Sequence, residues 1–467
     1  MGFALSILYL VTYYLTPVTV FGPLGRFHVE EVLALLVLCF SLPALAKSFA
    51  LKTAQSAALV GLTIAVGLSV LIGMRWPGGT AGAILSFVPS AFAYFLICLH
   101  GNSKKKLQIV VLMLLFVCLF VIVRGYIDLH SASVLDGAIQ PQDSRGAESA
   151  LWNAEHPLLL AMRNGQGQWF YRLKGLGEVG DPNDFGQLIV CTVPLMFIFW
   201  RTKKMAQNLF LVLLPVGLLL FGAYLTHSRG TIIAFMAITA VAARRRIGII
   251  PSLLLAGGLF VAASALHFSG GREVSASEGS DRIGLWGDGL EMLKQNPLFG
   301  VGVRNFADHS SAGLTAHNSI VVCAAELGMF GLFCWSLFLL PTLRDVLSIA
   351  SSAKVTEGAP IVAEEPQFPG VTRKIEALDK AEINRLGRLV LLSLVGFLVQ
   401  GLFLSRALVL TLFLLGGMAE AIYEMALQRG MVAPRLPLAR TLLYSAGFSV
   451  CLVIGMYIVV RVLNIMR

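Results

Sequence analysis

The feature that most constrains the fold is a series of apolar segments separated by short polar links. A bilayer core about 30 Å thick needs about 20 consecutive apolar residues in each spanning helix, and most of these segments are close to that length. The pattern therefore predicts an all-α polytopic membrane protein with about 12 or 13 transmembrane helices. The predicted helices cover residues 3–21, 30–46, 55–74, 82–100, 106–123, 185–200, 207–226, 230–243, 247–266, 317–341, 387–404, 406–426 and 441–461.

Composition supports the membrane class. Hydrophobic residues make up 57% of the chain and charged residues 13%, whereas soluble domains contain roughly 25% charged residues. The net charge of +10 would also suit a nucleic-acid-binding protein, but the position of the basic residues in the links explains it better. We therefore expect membrane lipids around the helices and no nucleic-acid partner.

The basic residues also predict an orientation. They cluster in alternate links, which the positive-inside rule assigns to the cytoplasm. The N-terminus is then inside, and residues 124–184 and 267–316 form long outer loops. The basic clusters are Lys47 with Lys52, Lys104–Lys106, 201–204, Arg244–Arg246, 344–388 and Arg429–Arg440.

This topology divides the chain into consecutive segments. The outer loop 267–316 is expected to be partly helical and to carry chemistry, and 342–386 is predicted to be a flexible cytoplasmic linker because it is rich in Ser, Ala, Pro and Glu. The oligomeric state is not predicted. The membrane helices fall into the segments 1–123, 185–266, 317–341 and 387–467, with the first long outer loop at 124–184.

Arginines at the outer ends of helices depart from the charge pattern. Arg229, in "LTHSRGTIIAF", closes one predicted helix and opens the next, with Thr226 and Ser228 beside it. A guanidinium beside the free N–H groups of a helix start suits a phosphate. The alternative is an arginine that extends to the lipid headgroups. The outer arginines are Arg26, Arg75, Arg124, Arg229 and Arg406.

The second outer loop is predicted to contain an amphipathic helix from Ser280 to Gln295, ended by Asn296 and Pro297. Arg282 is expected in its first turn, where a cation opposes the helix dipole unless an anion is shared. It is therefore a second candidate for binding phosphate, with Asp281 as the alternative partner. The apolar residues at helical spacing are Ile283, Trp286, Leu290 and Leu293.

His317 lies where this loop meets the next membrane helix, beside Asn318 and Ser319. A neutral imidazole at that position can accept a proton from a substrate. The alternative is a histidine whose hydrogen bonds are satisfied within the protein.

The first outer loop ends in "DPNDF". Asp181 as N-cap, Pro182 at the first position and Asp184 in the first turn form a well-made helix start. The same two aspartates are candidate substrate-binding residues, and "DPND" is the nearest approach to a metal-binding carboxylate pair in an outer loop. Aromatic residues in this loop suit either a headgroup belt or stacking on sugars. They are Trp152, Trp169, Phe170 and Tyr171.

Several of these motifs, taken together, resemble a known family. The ordered set "GDPNDFGQLIVCTVPL", "THSRGTIIAF", "SDRIGLWGDGLEMLKQNPLFGVGVRNF" and "AHNSIVVCAAELGMFGLFCW", over residues 181–341, is similar to the bacterial O-antigen ligase and polymerase superfamily. The resemblance implies a polytopic glycosyltransferase of GT-C-like architecture in the inner membrane. Such enzymes pass a glycan from undecaprenyl pyrophosphate to an acceptor on the periplasmic face.

The resemblance also implies roles for particular residues. The Ser-Arg-Gly arginine falls on Arg229 and the arginine before the loop tryptophan on Arg282, and the two are expected to hold the pyrophosphate. The loop-end histidine falls on His317, which is expected to activate or position the acceptor hydroxyl. Further candidate substrate-binding residues are Ser228, Trp286, Asn318, Asp181 and Asp184.

These assignments predict a metal-independent, inverting transfer without a cofactor, because two arginines and helix N–H groups can stabilise the leaving phosphate. The acceptor is a lipid such as lipid A-core, or another glycan. If it is a glycan, the enzyme is a polymerase with the same chemistry. A lipid-linked glycan transporter is the alternative of another class, but transporters favour ionisable residues at the membrane midplane and internal repeats.

Overall fold

The structure is a computed structural model that describes residues 2–17, 29–46, 52–131, 156–163, 169–266, 268, 276–352 and 380–465. Within these residues the chain is helical almost throughout. The helices longer than ten residues are α1 (Gly2–Leu15), α2 (Val29–Ala46), α3 (Ala54–Gly73), α4 (Pro77–His100), α5 (Lys104–Leu129), α6 (Pro182–Phe199), α7 (Met205–Leu225), α8 (Arg229–Ile247), α9 (Ile249–Ala265), α10 (Ala276–Gln295), α11 (Ser319–Ser351), α12 (Lys380–Gly401), α13 (Leu410–Gln428) and α14 (Leu438–Ile465).

The predicted class, an all-α polytopic membrane protein, is confirmed. In the part of the chain that the structure describes, 8 helices are long and apolar enough to cross a membrane. Two shorter apolar helices, α1 and α9, accompany them. Each predicted membrane segment overlaps an observed helix, because long apolar runs have few other ways to satisfy their backbone polar groups in lipid.

The segment 124–184, predicted to be the first outer loop, contains a β-hairpin that the sequence did not predict. Strand β1 (Leu159–Arg163) pairs antiparallel with β2 (Trp169–Leu173), and Leu159 lies opposite Leu173. Leu159 is buried and packs against Tyr171 and Leu129. Both strands have only five residues, too few for alternation to stand out in so apolar a sequence.

Helix α10 begins earlier than predicted. It starts at Ala276 and ends at Gln295, so the predicted end is confirmed but Arg282 lies in the second turn. The prediction that Arg282 opposes the helix dipole from the first turn is therefore wrong, since the dipole effect fades within that turn. The buried face also differs slightly, with Leu285, Gly289 and Met292 on the inside.

Helical structure extends into the predicted inner linker, 342–386, from both ends. Helix α11 continues to Ser351, and α12 begins at Lys380. Asp345, inside the predicted linker, is only 2% exposed and lies 2.6 Å from Arg435. Residues 353–379 lie outside the described residues.

The chain forms two compact units. Unit 1 comprises residues 1–40, 107–273 and 392–400, and unit 2 comprises residues 41–106, 274–391 and 401–467. Within unit 1, α6 packs against α7 and α8, and α8 packs against α9. Within unit 2, α11 packs against α3, α10, α13 and α14.

Helix α11 is interrupted at Gly328, whose backbone angles are φ 67° and ψ −170°. Carbonyl groups of the preceding loop accept hydrogen bonds from the backbone amides at this break. Met329 donates to the Pro297 carbonyl at 2.8 Å, and Phe330 donates to the Leu298 carbonyl at 3.2 Å. A broken helix at membrane depth needs such partners from the protein itself. The loop between α10 and α11 is thereby fixed against α11.

Candidate functional site

In unit 1, a three-residue turn connects α7 to α8 and leads into the Ser-Arg-Gly motif. Thr226 is the C-cap of α7, and His227 has a left-handed backbone with φ 47°. Ser228 then returns to an extended conformation as the N-cap of α8, and Arg229 is its first residue. The prediction that Arg229 opens a helix is confirmed.

The start of α8 has no side-chain cap. Ser228 is completely buried, yet its hydroxyl makes no hydrogen bond to any of the described residues. The first N–H groups of a helix have no partner within the helix and carry a partial positive charge. With the partly buried Arg229 beside them, they have the chemistry of an anion-binding site.

The start of α6 is capped, in contrast. Asp181 accepts hydrogen bonds from the Asn183 backbone N–H at 2.7 Å and from its side-chain amide at 2.9 Å, and Pro182 is the first helical residue. Asp184 lies in the first turn. The helix start predicted for this motif is confirmed, and capping occupies Oδ1 of Asp181. Burial lowers the pKa of the nearby Lys174, against the opposing effect of Asp181.

Two contacts tie the starts of α6 and α8 together. The Gln400 side-chain amide donates to the Asn183 carbonyl at 2.9 Å and to the Thr231 hydroxyl at 3.0 Å. A Cβ at Gly186 would collide with the Thr231 hydroxyl, so only glycine allows this approach. The start of α6 therefore lies beside the first turn of α8.

Arg172 is a residue of this region that sequence reasoning missed. It lies on β2 and is only 3% exposed. Its Nε donates to the Thr226 carbonyl at 2.8 Å, and Nη2 donates to the Asn183 side-chain oxygen at 2.9 Å. The available signal was its position eleven residues before Asn183 in a loop that contains many other charged residues, which is too weak to identify it.

In unit 2, His317 lies in a second strained turn. Its backbone is left-handed, with φ 48°, a conformation that costs a residue with a Cβ about 1–2 kcal/mol. The His317 backbone N–H donates to the Ser405 hydroxyl at 3.1 Å, and that hydroxyl donates to Thr315 at 2.9 Å. The surrounding chain therefore holds His317 in a conformation it would not adopt alone.

The residues after His317 fasten the start of α11. Asn318 is 2% exposed and caps the helix, because its side-chain oxygen accepts from the N–H groups of Ile320 at 2.9 Å and Val321 at 3.3 Å. The Ser319 hydroxyl donates to the Leu404 carbonyl at 2.7 Å and accepts from the Arg406 backbone N–H at 3.0 Å. Asn318, predicted to bind substrate, is thus a helix cap.

Helix α10 also contacts the turn that contains His317. The Trp286 indole N–H donates to the carbonyl of Ala316 at 2.9 Å, directly before His317. Arg282 is partly buried and lies four residues earlier on α10, so it shares the helix face of Trp286. Arg282 and Trp286 therefore lie on the helix that anchors the His317 turn. The indole N–H of Trp286 is used in that anchoring.

Glu326 is a second residue that sequence reasoning missed. Its carboxylate accepts the backbone N–H of Arg304 at 2.9 Å and that of Phe306 at 3.2 Å, while its own carbonyl accepts from Gly302 at 3.0 Å. It is 7% exposed. This glutamate anchors the loop that joins α10 to α11.

The other candidates are more peripheral. Arg75 and Arg124 are exposed, and Arg26 and Trp152 lie outside the described residues. Among the residues that the structure describes, no three His, Cys, Asp or Glu side chains lie close enough to hold a metal ion together.

Comparison with known proteins finds a similarity in the central part of the chain. Residues 214–336 match the family model described as O-antigen ligase. The match confirms the resemblance seen in the motifs, and it includes Ser228, Arg229, Arg282, Trp286, His317 and Asn318. None of the curated protein sequences matches the chain.

Proposed function

We propose that this chain, whose residues 214–336 match the O-antigen ligase family, is a glycosyltransferase of the bacterial inner membrane. It transfers a glycan from undecaprenyl pyrophosphate to an acceptor such as lipid A-core on the periplasmic face. The family match and the membrane helices support the general class. The donor, the acceptor and the face of the membrane follow from the motif resemblance and the charge pattern.

The observation that carries the proposal is the uncapped start of α8. Its N-cap hydroxyl is buried without a partner among the described residues, and Arg229 is its first residue. In this proposal the α8 amides and the Arg229 guanidinium bind phosphate oxygens of the donor. A planar guanidinium gives two parallel hydrogen bonds to a phosphate, which a lysine does not provide.

Arg282 and His317 supply the other two functions. Arg282 is assigned to the pyrophosphate by the motif resemblance. It lies on the same face of α10 as Trp286, in the predicted outer loop, and this position fits that role. His317 is assigned to the acceptor hydroxyl. A strained backbone held by flanking hydrogen bonds is typical of residues whose position matters for function.

The proposed reaction is a single displacement with inversion. The acceptor hydroxyl oxygen forms a bond to the anomeric carbon as the bond from that carbon to the pyrophosphate oxygen breaks. The hydroxyl proton passes to the His317 imidazole, and the new negative charge stays on the pyrophosphate. Arginine and helix N–H groups stabilise that charge as it develops. Addition of EDTA should leave transfer by the purified protein intact.

Analysis of the products in a deletion strain tests the proposal. A strain without a ligase accumulates long lipid-linked chains, whereas a strain without a polymerase accumulates single lipid-linked repeat units. We expect long lipid-linked chains, and complementation by the wild-type protein but not by Arg229→Lys. Single repeat units would identify a polymerase. A normal glycan on the outer surface together with full activity of Arg229→Lys would overturn the proposed function.

A further inference from the structure

Arg172 stands out as a buried arginine that the proposed reaction does not use. It lies on β2, opposite Leu160 in the hairpin, and is 3% exposed. Burying a guanidinium is costly unless its N–H groups are hydrogen-bonded. The hydrogen bonds of Arg172 therefore show which parts of the chain it holds in place.

One guanidinium edge joins two helix ends. The Nε group donates to the carbonyl of Thr226, which ends α7, and Nη2 donates to the side-chain oxygen of Asn183 in the first turn of α6. A cation at the C-terminal end of a helix is favourable because the last carbonyls carry partial negative charge. Nη1 lies 3.7 Å from the Met162 sulfur, across the hairpin.

Thr226 is the first residue of the turn that presents Arg229. A second side chain of the same face of β2 contacts this turn as well, since the Phe170 ring packs edge-on against the His227 ring with 6.0 Å between centroids. Residues 170 and 172 share one face of the strand because side chains alternate. The hairpin therefore contacts the turn through both Phe170 and Arg172.

The other end of the turn is also tied to α6. Gln400 joins the Asn183 carbonyl to the Thr231 hydroxyl in the first turn of α8. Arg172 and Gln400 thus meet at Asn183, one holding the end of α7 and the other the start of α8. The segment from Thr226 to Thr231 is fixed at both ends, with Ser228 and Arg229 between them.

We propose that Arg172 is a positioning residue for Arg229, acting through the Thr226 carbonyl and Asn183 to hold the turn that presents Arg229 and the α8 amides to phosphate. The proposal rests on the proposed function of Arg229. Arg172 does not contact substrate in this scheme, since it is 3% exposed and its Nε and Nη2 groups donate to Thr226 and Asn183. A misplacement of about 1 Å can cost about 100-fold in rate, which sets the size of effect to look for.

The test compares three variants of the full-length protein in lipid nanodiscs. Arg172→Met fills the space without hydrogen bonds, and Arg172→Lys keeps the charge but not the two-point geometry. The matched control is Leu160→Ala, which weakens hairpin packing opposite Arg172 and leaves the guanidinium contacts. Two readouts are needed: hydrogen–deuterium exchange of the amides of residues 226–230 without ligand, and the steady-state constants for donor and acceptor.

We expect Arg172→Met to raise amide exchange at residues 226–230 and to lower transfer about 100-fold. The change should be in the donor KM or in kcat, with the acceptor KM unchanged. Arg172→Lys should rescue little of this. Leu160→Ala should leave exchange at residues 226–230 and transfer close to wild type. A purely structural role for Arg172 would instead make Leu160→Ala and Arg172→Met behave alike.

Arg229→Lys, measured in parallel, separates this inference from the proposed function. If Arg229→Lys is fully active, the proposed function of Arg229 fails, and the inference fails with it. If Arg229→Lys is inactive while Arg172→Met keeps normal transfer or normal exchange, the inference is overturned and the proposed function stands. If Arg172→Met does not fold, Asn183→Ala removes one of the two hydrogen bonds of Arg172. It should then raise amide exchange at residues 226–230 by a smaller amount. Unchanged exchange in Asn183→Ala would overturn the inference.

Discussion

Two turns, one in each unit, share a left-handed histidine before a helix and differ in their chemistry. In unit 1, His227 has φ 47° and is followed by extended Ser228 and then α8. In unit 2, His317 has φ 48° and is followed by extended Asn318 and then α11. In both, a left-handed histidine redirects the chain into the start of a helix.

The difference lies in what completes each helix start. The Asn318 side chain accepts hydrogen bonds from two amides of α11, whereas the Ser228 side chain accepts none at the start of α8. The His227 ring is used within the protein, since its Nδ1 donates to the Phe268 carbonyl at 3.0 Å and its ring packs against Tyr224. The turn before α8 thus leaves helix amides available to bind an anion. The turn before α11 is instead suited to hold the His317 side chain in a fixed position.

The largest expected effect separates the two histidines. His317→Ala should lower transfer by about 10²–10⁴-fold, the usual contribution of a general acid or base, while the variant still binds the lipid-linked donor. His227→Ala is the comparison and should lose less transfer, because its ring only helps to hold the turn before α8 through its contacts with Phe170 and Phe268. Transfer by the purified variants and donor binding measure both. Full activity in His317→Ala would leave that residue with a structural role only.

The next effect concerns the arginine at the start of α8. Arg229→Lys keeps the charge but loses the two-point geometry, so most transfer should disappear while expression and membrane insertion persist. Arg246→Lys, an exposed position in the last turn of the same helix, is the control and should be fully active. Equal activity of the two variants would indicate that Arg229 only reaches the lipid headgroups.

The two turns also show what the sequence could predict. The membrane helices were readable because each is a long apolar run, and Arg229 stood out because it interrupts one. Asp181 and Pro182 were readable as a helix start because capping depends on neighbouring residues. Such signals are local.

The remaining features depend on contacts between distant parts of the chain. Nothing local indicates that Arg172 reaches Thr226, or that Glu326 accepts the amides of the loop before it. The left-handed backbones of His227 and His317 were equally hidden, since no glycine or asparagine marks them. The first turn of α10 was missed because Ala276 to Gly279 lack the apolar spacing on which the prediction relied.

A smaller effect should appear in stability and separate the two caps. Asn318→Ala removes two hydrogen bonds and should cost about 1 kcal/mol, as for other N-caps. Ser228→Ala removes a buried hydroxyl without a partner among the described residues, so its cost should be near zero or slightly favourable. Thermal unfolding of both variants in the same detergent measures the difference. Equal destabilisation would mean that Ser228 caps α8 in solution and that the open helix start is wrong.

The smallest effect concerns backbone strain at the two histidines. Asparagine adopts a left-handed backbone more readily than most residues, whereas alanine with its Cβ keeps the strain, which is about 1–2 kcal/mol. His317→Asn should therefore unfold at a higher temperature than His317→Ala, although both should lose transfer. At position 227, where φ is 47°, the same comparison should give a similar difference, because asparagine and alanine both lose the ring that packs against Tyr224 and Phe170. If His317→Asn is more stable than His317→Ala but inactive, the strain at His317 is kept for function. If His317→Asn is instead less stable than His317→Ala, the backbone strain at this turn is not what limits its stability, and the histidine side chain is what the turn requires.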